Sequence, residues 1–136
     1  MEGTGGNVSL SLPEDIEPFL DDTHTWTDPA VYALCLSRPD DLAQAWDAEF
    51  DHRPDYWDEL VEAANVVYVG AAKNLISRLE DHHNQEVRKT VLTAVCDVER
   101  LRNVWWCSDM DHAIQEESKL SIMMQNQYAD TYVHSR

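Results

Sequence analysis

The stretch YVGAAKNLISRLEDH, residues 68–82, decides the fold of this chain. It opens within a short apolar run, residues 66–69, whose β-branched and aromatic content predicts a buried strand. Gly70 follows and predicts a sharp turn at which another molecule can approach the backbone closely. Apolar residues then recur with a helical period, so the stretch predicts a strand, a turn and a helix in direct succession.

The predicted helix carries hydrogen-bonding side chains along one face. Asn74, Arg78 and His82 fall at i, i+4 and i+8, which places them in one row. The opposite face is aliphatic and consists of Leu75, Ile76 and Leu79. A row of amide, guanidinium and imidazole groups beside a turn is suited to binding an anion.

Residues 68–82 resemble the second half of the signature of the GIY-YIG nuclease superfamily. In that family Tyr-Ile-Gly is followed by a helix that carries an arginine and often a histidine. The first half, a strand ending in Gly-Ile-Tyr, is matched at residues 30–32, where Ala30 and Val31 replace the glycine and the isoleucine. Many DNA-cleaving members carry a polar residue after the second glycine, and here that position is Ala71.

A third part of the resemblance is a helical glutamate late in the chain. The family places a small residue four positions before this glutamate and an aliphatic residue three positions after it. Ala113, Glu117 and Leu120 have this spacing. From the residues alone, a carboxylate on an apolar helical stripe needs compensation by a metal, an arginine or hydrogen bonds. An ordinary salt-bridged helix glutamate is the alternative explanation.

The resemblance implies a small α/β domain with a central, mostly antiparallel, three-stranded sheet flanked by helices. This domain spans residues 23–136 and contains an insertion at about 39–64, where simpler family members have a tight hairpin. Residues 1–22 are expected to form a poorly ordered acidic lead-in with a short strand near 8–12. Strands are predicted at 31–36, 66–69 and 101–107. Helices are predicted at 40–50, 57–64, 74–83, 86–98 and 109–125, the last behind a capping box at 108–111.

The resemblance also implies which side chains act. Catalytic roles fall to five residues: Tyr32, Tyr68, Arg78, His82 and Glu117. Substrate binding falls to two further residues, Gly70 and Asn74. In the family one or both phenols lie at the attacking water, and the arginine neutralises charge in the transition state. The glutamate, here Glu117, holds one divalent cation, Mg²⁺ or Mn²⁺.

The same residues have ordinary structural explanations. Tyr32 and Tyr68 are of a type that is common in the core of strands. Asn74 and Arg78 suit a solvated helix surface, and His82 suits a helix end as well as a catalytic site. Sequence alone leaves these explanations open.

The expected function is metal-dependent hydrolysis of DNA phosphodiester bonds in DNA repair, recombination or mobile-element processing. The alternative is a catalytically weak module with the same fold that binds nucleic acid or another protein. No second DNA-binding module is visible in the sequence, so specificity is expected to come from a protein partner, a homo-oligomer or the 39–64 insertion.

The charge of the chain is extreme for its length. It holds 26 acidic and 10 basic residues, of which three are lysines, for a net charge of −16. This composition indicates a surface of the halophilic type, with an ordinary acidic protein and a nucleic-acid mimic as alternatives. Because affinity for phosphates usually comes from lysine and arginine, DNA binding by this chain must depend on a few close contacts.

We predict that the protein is most stable in molar salt. The acidic side chains repel one another when unscreened, and at molar ionic strength the screening length falls to about 3 Å. The melting temperature should therefore rise substantially from low to molar KCl. A flat or falling trend would contradict the halophilic interpretation.

Composition limits the remaining classes of function. The 136 residues suffice for one domain, and a hydrophobic content of 43% predicts a folded chain. No apolar run of about 18 residues predicts a membrane span, and the first residues lack the features of a secretory signal. Cys35, Cys96 and Cys107 predict free thiols in a reducing cytoplasm. There is no zinc-ligand spacing, phosphate-binding glycine loop or nucleophile elbow.

Overall fold

The computed structural model describes residues 8–83 and 91–135. A single 3₁₀ turn, Glu17–Phe19, precedes the regular elements. The strands are β1 (Ala30–Ser37), β2 (Asn65–Ala72), β3 (Asp97–Trp106) and β4 (Thr131–Ser135). The helices are α1 (Leu42–Glu49), α2 (Trp57–Glu62), α3 (Leu75–His83), α4 (Val91–Val95) and α5 (Met110–Gln127).

The described strands form one mixed sheet in the order β3-β1-β2-β4. β1 pairs antiparallel with both β2 and β3, and β4 pairs parallel with β2. The α/β class and the antiparallel three-stranded core are therefore confirmed, but the strand count is four. The side-chain amide of Gln125 binds the backbone of the fourth strand, β4. Its nitrogen donates to Thr131 O at 2.7 Å and its oxygen accepts from Val133 N at 2.9 Å.

Both faces of the central strands are buried, which explains their nearly continuous apolar sequence. One face carries Tyr32, Leu34 and Tyr68 and packs against the first four helices and the N-terminal segment. We call it the tyrosine face. The opposite face carries small and β-branched residues and packs against Ala113 and Met124 of α5. The two faces thus separate α3 from α5.

The 39–64 insertion is an integral part of the domain. Trp46 of α1 is almost completely buried and contacts the rings of Phe50 and Trp57 at centroid distances of 4.9 and 5.5 Å. Its indole nitrogen donates to the carbonyl of His52 at 2.8 Å. Leu60 of α2 is buried in the same cluster. The insertion therefore covers part of the tyrosine face.

The N-terminal segment differs from the expected poorly ordered lead-in. Residues 1–7 lie outside the described residues, but from Val8 onwards the chain packs against the domain. Leu10 and Ile16 are buried in the main core, because two large aliphatic side chains gain more from burial than from exposure. The short strand expected near 8–12 is reduced to one parallel bridge between Val8 and Val98.

Two predicted boundaries are wrong. The helix expected at 86–98 ends at Val95 in its described part, and Val98 belongs to β3, where it pairs with Leu36. Pairing with the full length of β1 outweighs the helical spacing of the valines. The last helix is capped by Asp109, which accepts a hydrogen bond from His112 N at 2.8 Å, and not by the expected box.

Candidate active site

Gly70 lies inside β2, so the predicted turn at this residue is wrong. The strand continues to Ala72, and no described glycine has a positive φ. Gly70 faces Tyr32 across the β1–β2 pair. A Cβ atom at Gly70 would lie 2.6 Å from both Cζ and Oη of Tyr32. The position therefore needs glycine because the Tyr32 ring lies over it, and not because the backbone turns there.

Tyr32 is hydrogen-bonded to His82 within the core. Its hydroxyl lies 2.9 Å from His82 Nε2, and the exposed fractions of the two residues are 0% and 2%. α3 buries Leu75, Leu79 and His82 together. His82 therefore lies on the buried face of the helix, and the prediction that it shares a polar face with Asn74 is wrong.

Tyr68 completes a compact group of three buried rings. Its ring centroid lies 6.3 Å from that of Tyr32 and 5.9 Å from that of His82. The rings of Tyr32 and His82 are 5.7 Å apart. The alternating side chains of β1 and β2 thus place both phenols on the tyrosine face, where α3 supplies the imidazole between them.

Arg78 adds a positive charge to this group and remains partly exposed. Burial alone would lower the pKa of Arg78, but its interactions with Tyr32 and Tyr68 outweigh this effect and raise the pKa. Its Nε atom is buried and has no hydrogen-bond partner among the described residues.

The environment keeps both Tyr32 and His82 neutral. Burial raises the pKa of Tyr32, neighbouring Tyr68 raises it further, and Arg78 opposes the shift by its charge and by hydrogen bonding. Burial, assisted by the charge of Arg78, lowers the pKa of His82 to about 4. At neutral pH the imidazole is therefore unprotonated and a weak base, and the phenol keeps its proton.

We predict a pH-dependent stability that originates at His82. Its folded-state pKa of about 4 lies below the ordinary 6.5, so the unfolded chain takes up this proton first as the pH falls. The contribution to the free energy of unfolding is complete above pH 6.5 and decreases by about 3 kcal/mol towards pH 4. Denaturant unfolding across this window should show a smaller slope for His82→Gln. The exposed neighbour variant, His83→Gln, should keep the wild-type slope.

Glu117 lies on the buried stripe of α5 with Ala113, Ser121 and Met124, and its exposed fraction is 5%. α5 packs against the opposite face of the sheet from α3, so the carboxylate approaches the site from another direction than Arg78. Its charge nevertheless contributes to the raised pKa of Tyr32. Glu117 therefore lies within electrostatic range of Tyr32.

The donor set fits only one kind of metal site. The described residues contain no group of three or more His, Cys, Asp or Glu side chains able to hold a metal ion. A single carboxylate such as Glu117 suits a hard cation that keeps several waters and shares phosphate oxygens of a substrate. A cation at Glu117 would therefore have to take its other ligands from water and a substrate.

Asn74 acts as the cap of α3. Its Oδ1 accepts a hydrogen bond from Ser77 N at 3.1 Å. Amides of the first helical turn are also occupied, because Leu75 N and Ile76 N donate to the carbonyls of Asp28 and Trp26. An anion at this end of the helix would consequently depend on the Arg78 side chain rather than on the helix terminus.

The site has a neighbour that the sequence pattern does not predict. His134 of β4 pairs in register with Tyr68, and their rings lie 6.3 Å apart with an interplanar angle of 28°. His134 Nδ1 lies 3.0 Å from the hydroxyl of Tyr132, and Tyr132 stacks on Tyr56 of the insertion at 5.3 Å. In the sequence, Tyr132 and His134 occupy alternate positions of a short polar segment, and this alternation is the signal that could have indicated a strand.

No family model, curated protein or solved structure matches this chain. Among the described helices, none combines the length and apolar character needed to cross a bilayer. All three cysteines are free, and Cys96 and Cys107 are buried.

Proposed function

We propose that this protein is a divalent-metal-dependent endonuclease that hydrolyses DNA phosphodiester bonds. The observation that supports it is the meeting of four groups at Tyr32. His82 is bonded to its hydroxyl, Gly70 makes room for its ring, and the charges of Arg78 and Glu117 both act on it. Phosphodiester hydrolysis needs a proton acceptor, a cation and a carboxylate; His82 lies at the hydroxyl, and Arg78 and Glu117 lie within electrostatic range of Tyr32.

Arg78 binds the scissile phosphate in this proposal. It is the partly exposed member of the group, so a substrate reaches it first. The exposed part of its guanidinium can pair with a phosphate oxygen. A guanidinium that forms two hydrogen bonds stabilises the additional negative charge of the transition state.

Tyr32 and His82 move the proton of the attacking water. As water attacks phosphorus, its proton passes to the Tyr32 oxygen, and the proton of Tyr32 passes to Nε2 of His82. Tyr32 is neutral before and after this step, which agrees with its raised pKa. At neutral pH the lowered pKa of His82 leaves Nε2 unprotonated, as the step requires, but also makes it a weak base. Tyr68 borders both groups and orients them.

Glu117 is the residue that would hold the cation. When bound there, Mg²⁺ or Mn²⁺ supplies charge stabilisation of the phosphate and the leaving oxygen. An endonuclease of this kind would act in DNA repair, recombination or mobile-element processing.

A second candidate function is favoured by the burial of the site. Tyr32 and Tyr68 have no exposed surface, and His82 has almost none. Residues so enclosed are also what a stable core requires. The same fold could therefore serve as a catalytically weak module that binds nucleic acid through Arg78, or that binds another protein.

A cleavage assay in molar KCl separates the two candidates. Single-stranded, duplex and branched DNA would be incubated with Mg²⁺, Mn²⁺ or a chelator, using wild type, Arg78→Gln and Arg100→Gln. We expect metal-dependent cleavage that Arg78→Gln strongly reduces. Arg100 lies on the exposed part of β3 and controls for the loss of one positive charge. Binding without cleavage under every condition would establish the second candidate.

A further inference from the structure

An acidic chain that binds DNA needs contacts that do not depend on long-range charge. The net charge is −16, and affinity that comes from phosphate contacts decreases steeply with salt. Stacking of a base on an aromatic ring has no comparable salt dependence, since it requires contact between two uncharged surfaces. The molecule carries such a surface next to the candidate active site.

Three partly buried rings form this surface, which we call the aromatic shelf: Tyr56, Tyr132 and His134. The ring of Tyr56 lies 5.3 Å from Tyr132 at an interplanar angle of 14°, and 5.1 Å from His134. Tyr132 and His134 are joined by a hydrogen bond of 3.0 Å between the Tyr132 hydroxyl and His134 Nδ1. The shelf is thus built jointly by the insertion and by β4.

The shelf adjoins the candidate active site directly. The ring of His134 lies 6.3 Å from that of Tyr68 at an angle of 28°, and Tyr68 in turn contacts Tyr32 and His82. A nucleotide on the shelf would therefore be a neighbour of a phosphate held at the site.

The charges around the shelf favour a base over a phosphate. Burial lowers the pKa of His134 and raises that of Tyr132, so both rings are neutral at physiological pH. The groove beside Tyr132 has a volume of about 520 Å³ and includes three carboxylates in its lining, Glu59, Glu62 and Asp130. These carboxylates repel a phosphate but tolerate an uncharged base.

We propose that the aromatic shelf stacks the base of an unpaired nucleotide next to the scissile phosphate. A base inside a duplex already has neighbours on both faces, whereas an unpaired base offers a free face to an aromatic ring. The preferred substrate class is accordingly DNA with single-stranded nucleotides at the cleavage site. The position of the scissile phosphate rests on the proposed function, but base binding by the shelf does not require cleavage.

The test is equilibrium binding in molar KCl without a divalent cation. Three labelled probes of equal length would be used: oligothymidylate, the abasic deoxyribose-phosphate chain and a blunt duplex. We expect wild type to prefer oligothymidylate, and Tyr132→Leu and Tyr56→Leu each to weaken it about tenfold. Tyr128→Leu is the matched control, because this half-buried tyrosine packs on the opposite face of the sheet. Tyr132→Phe keeps the ring and should keep the affinity.

Equal affinity for the oligothymidylate and abasic probes would overturn the proposal, as would an absence of single-strand binding. Equal losses in Tyr132→Leu and Tyr128→Leu would also overturn it. If the leucine variants are unfolded by circular dichroism, the comparison of the oligothymidylate and abasic probes with folded wild type decides whether a base is bound. Because no metal is present, these results are independent of the cleavage assay, whose failure would affect only the proposed endonuclease.

Discussion

Replacement of Glu117 by glutamine is expected to lower metal-dependent DNA cleavage by about three orders of magnitude. The variant removes one charge and almost no volume, so it would eliminate the proposed metal ligand while it preserves the packing of α5. A thousandfold loss corresponds to about 4 kcal/mol, which is within the stabilisation that a metal ion supplies to a developing charge. Cleavage rates at saturating Mg²⁺ and Mn²⁺ measure the effect, and DNA binding should survive.

Glu116→Gln is the matched control for this experiment. Glu116 precedes Glu117 on the same turn, but its side chain is 32% exposed and lies 3.3 Å from Lys119 Nζ. Both variants remove one negative charge from the same helix, so a general effect of charge on DNA binding would appear in both. We expect Glu116→Gln to retain most of the wild-type rate. Equal rates in wild type and Glu117→Gln would exclude Glu117 as the ligand of a catalytic metal.

Much of the fold could be predicted because local patterns and burial agree. The strand at 31–36 and the strand at 66–69 are short apolar runs, and both are central strands with two buried faces. The helices at 40–50 and 57–64 also match their observed positions, α1 and α2. At α3 the spacing of Leu75 and Leu79 marks the core side of the helix. Where the sequence pattern and the tertiary contacts indicate the same structure, elements can be located from the sequence.

The remaining parts of the fold depend on distant contacts. β4 has only one aliphatic residue, Val133, and gains its conformation from pairing with β2 and from the Gln125 side chain. α4 and β3 compete for the valines at 95 and 98, and pairing with β1 decides the outcome. Such competition between a helical period and a strand partner cannot be resolved from a single local pattern.

In the candidate site, too, one part follows from the local sequence and another depends on distant contacts. The residue types were indicated by motif, but the contacts that relate them were not. His82 follows Asn74 and Arg78 at helical spacing, yet it turns into the core to meet Tyr32, because a hydrogen bond to a buried phenol compensates its desolvation. The shelf residue His134 depends on β4 and on the 39–64 insertion, neither of which the motif describes.

Gly70→Ala is expected to be the most destabilising small substitution in the site. The added Cβ would lie 2.6 Å from two atoms of the Tyr32 ring, a separation that packed atoms do not tolerate. Tyr32 is completely buried and hydrogen-bonded to His82, so its ring cannot move aside without loss of that bond. Overpacking of this kind costs about 2–3 kcal/mol, which corresponds to a decrease of about 10 °C in melting temperature.

A double-mutant cycle with Tyr32→Leu tests whether the clash with the Tyr32 ring causes the destabilisation by Gly70→Ala. Tyr32→Leu alone should also destabilise the protein, because it leaves a cavity over Gly70 and removes the hydrogen bond to His82. In the double variant the new methyl group would occupy part of that cavity. The combined loss should therefore be smaller than the sum of the single losses by about 1 kcal/mol or more. If, in denaturant unfolding, the losses of unfolding free energy in the two single variants simply add up in the double variant, Gly70 is required for a reason other than the ring of Tyr32. Coupling of the expected sign would show that the glycine of the motif exists to seat the tyrosine on the neighbouring strand.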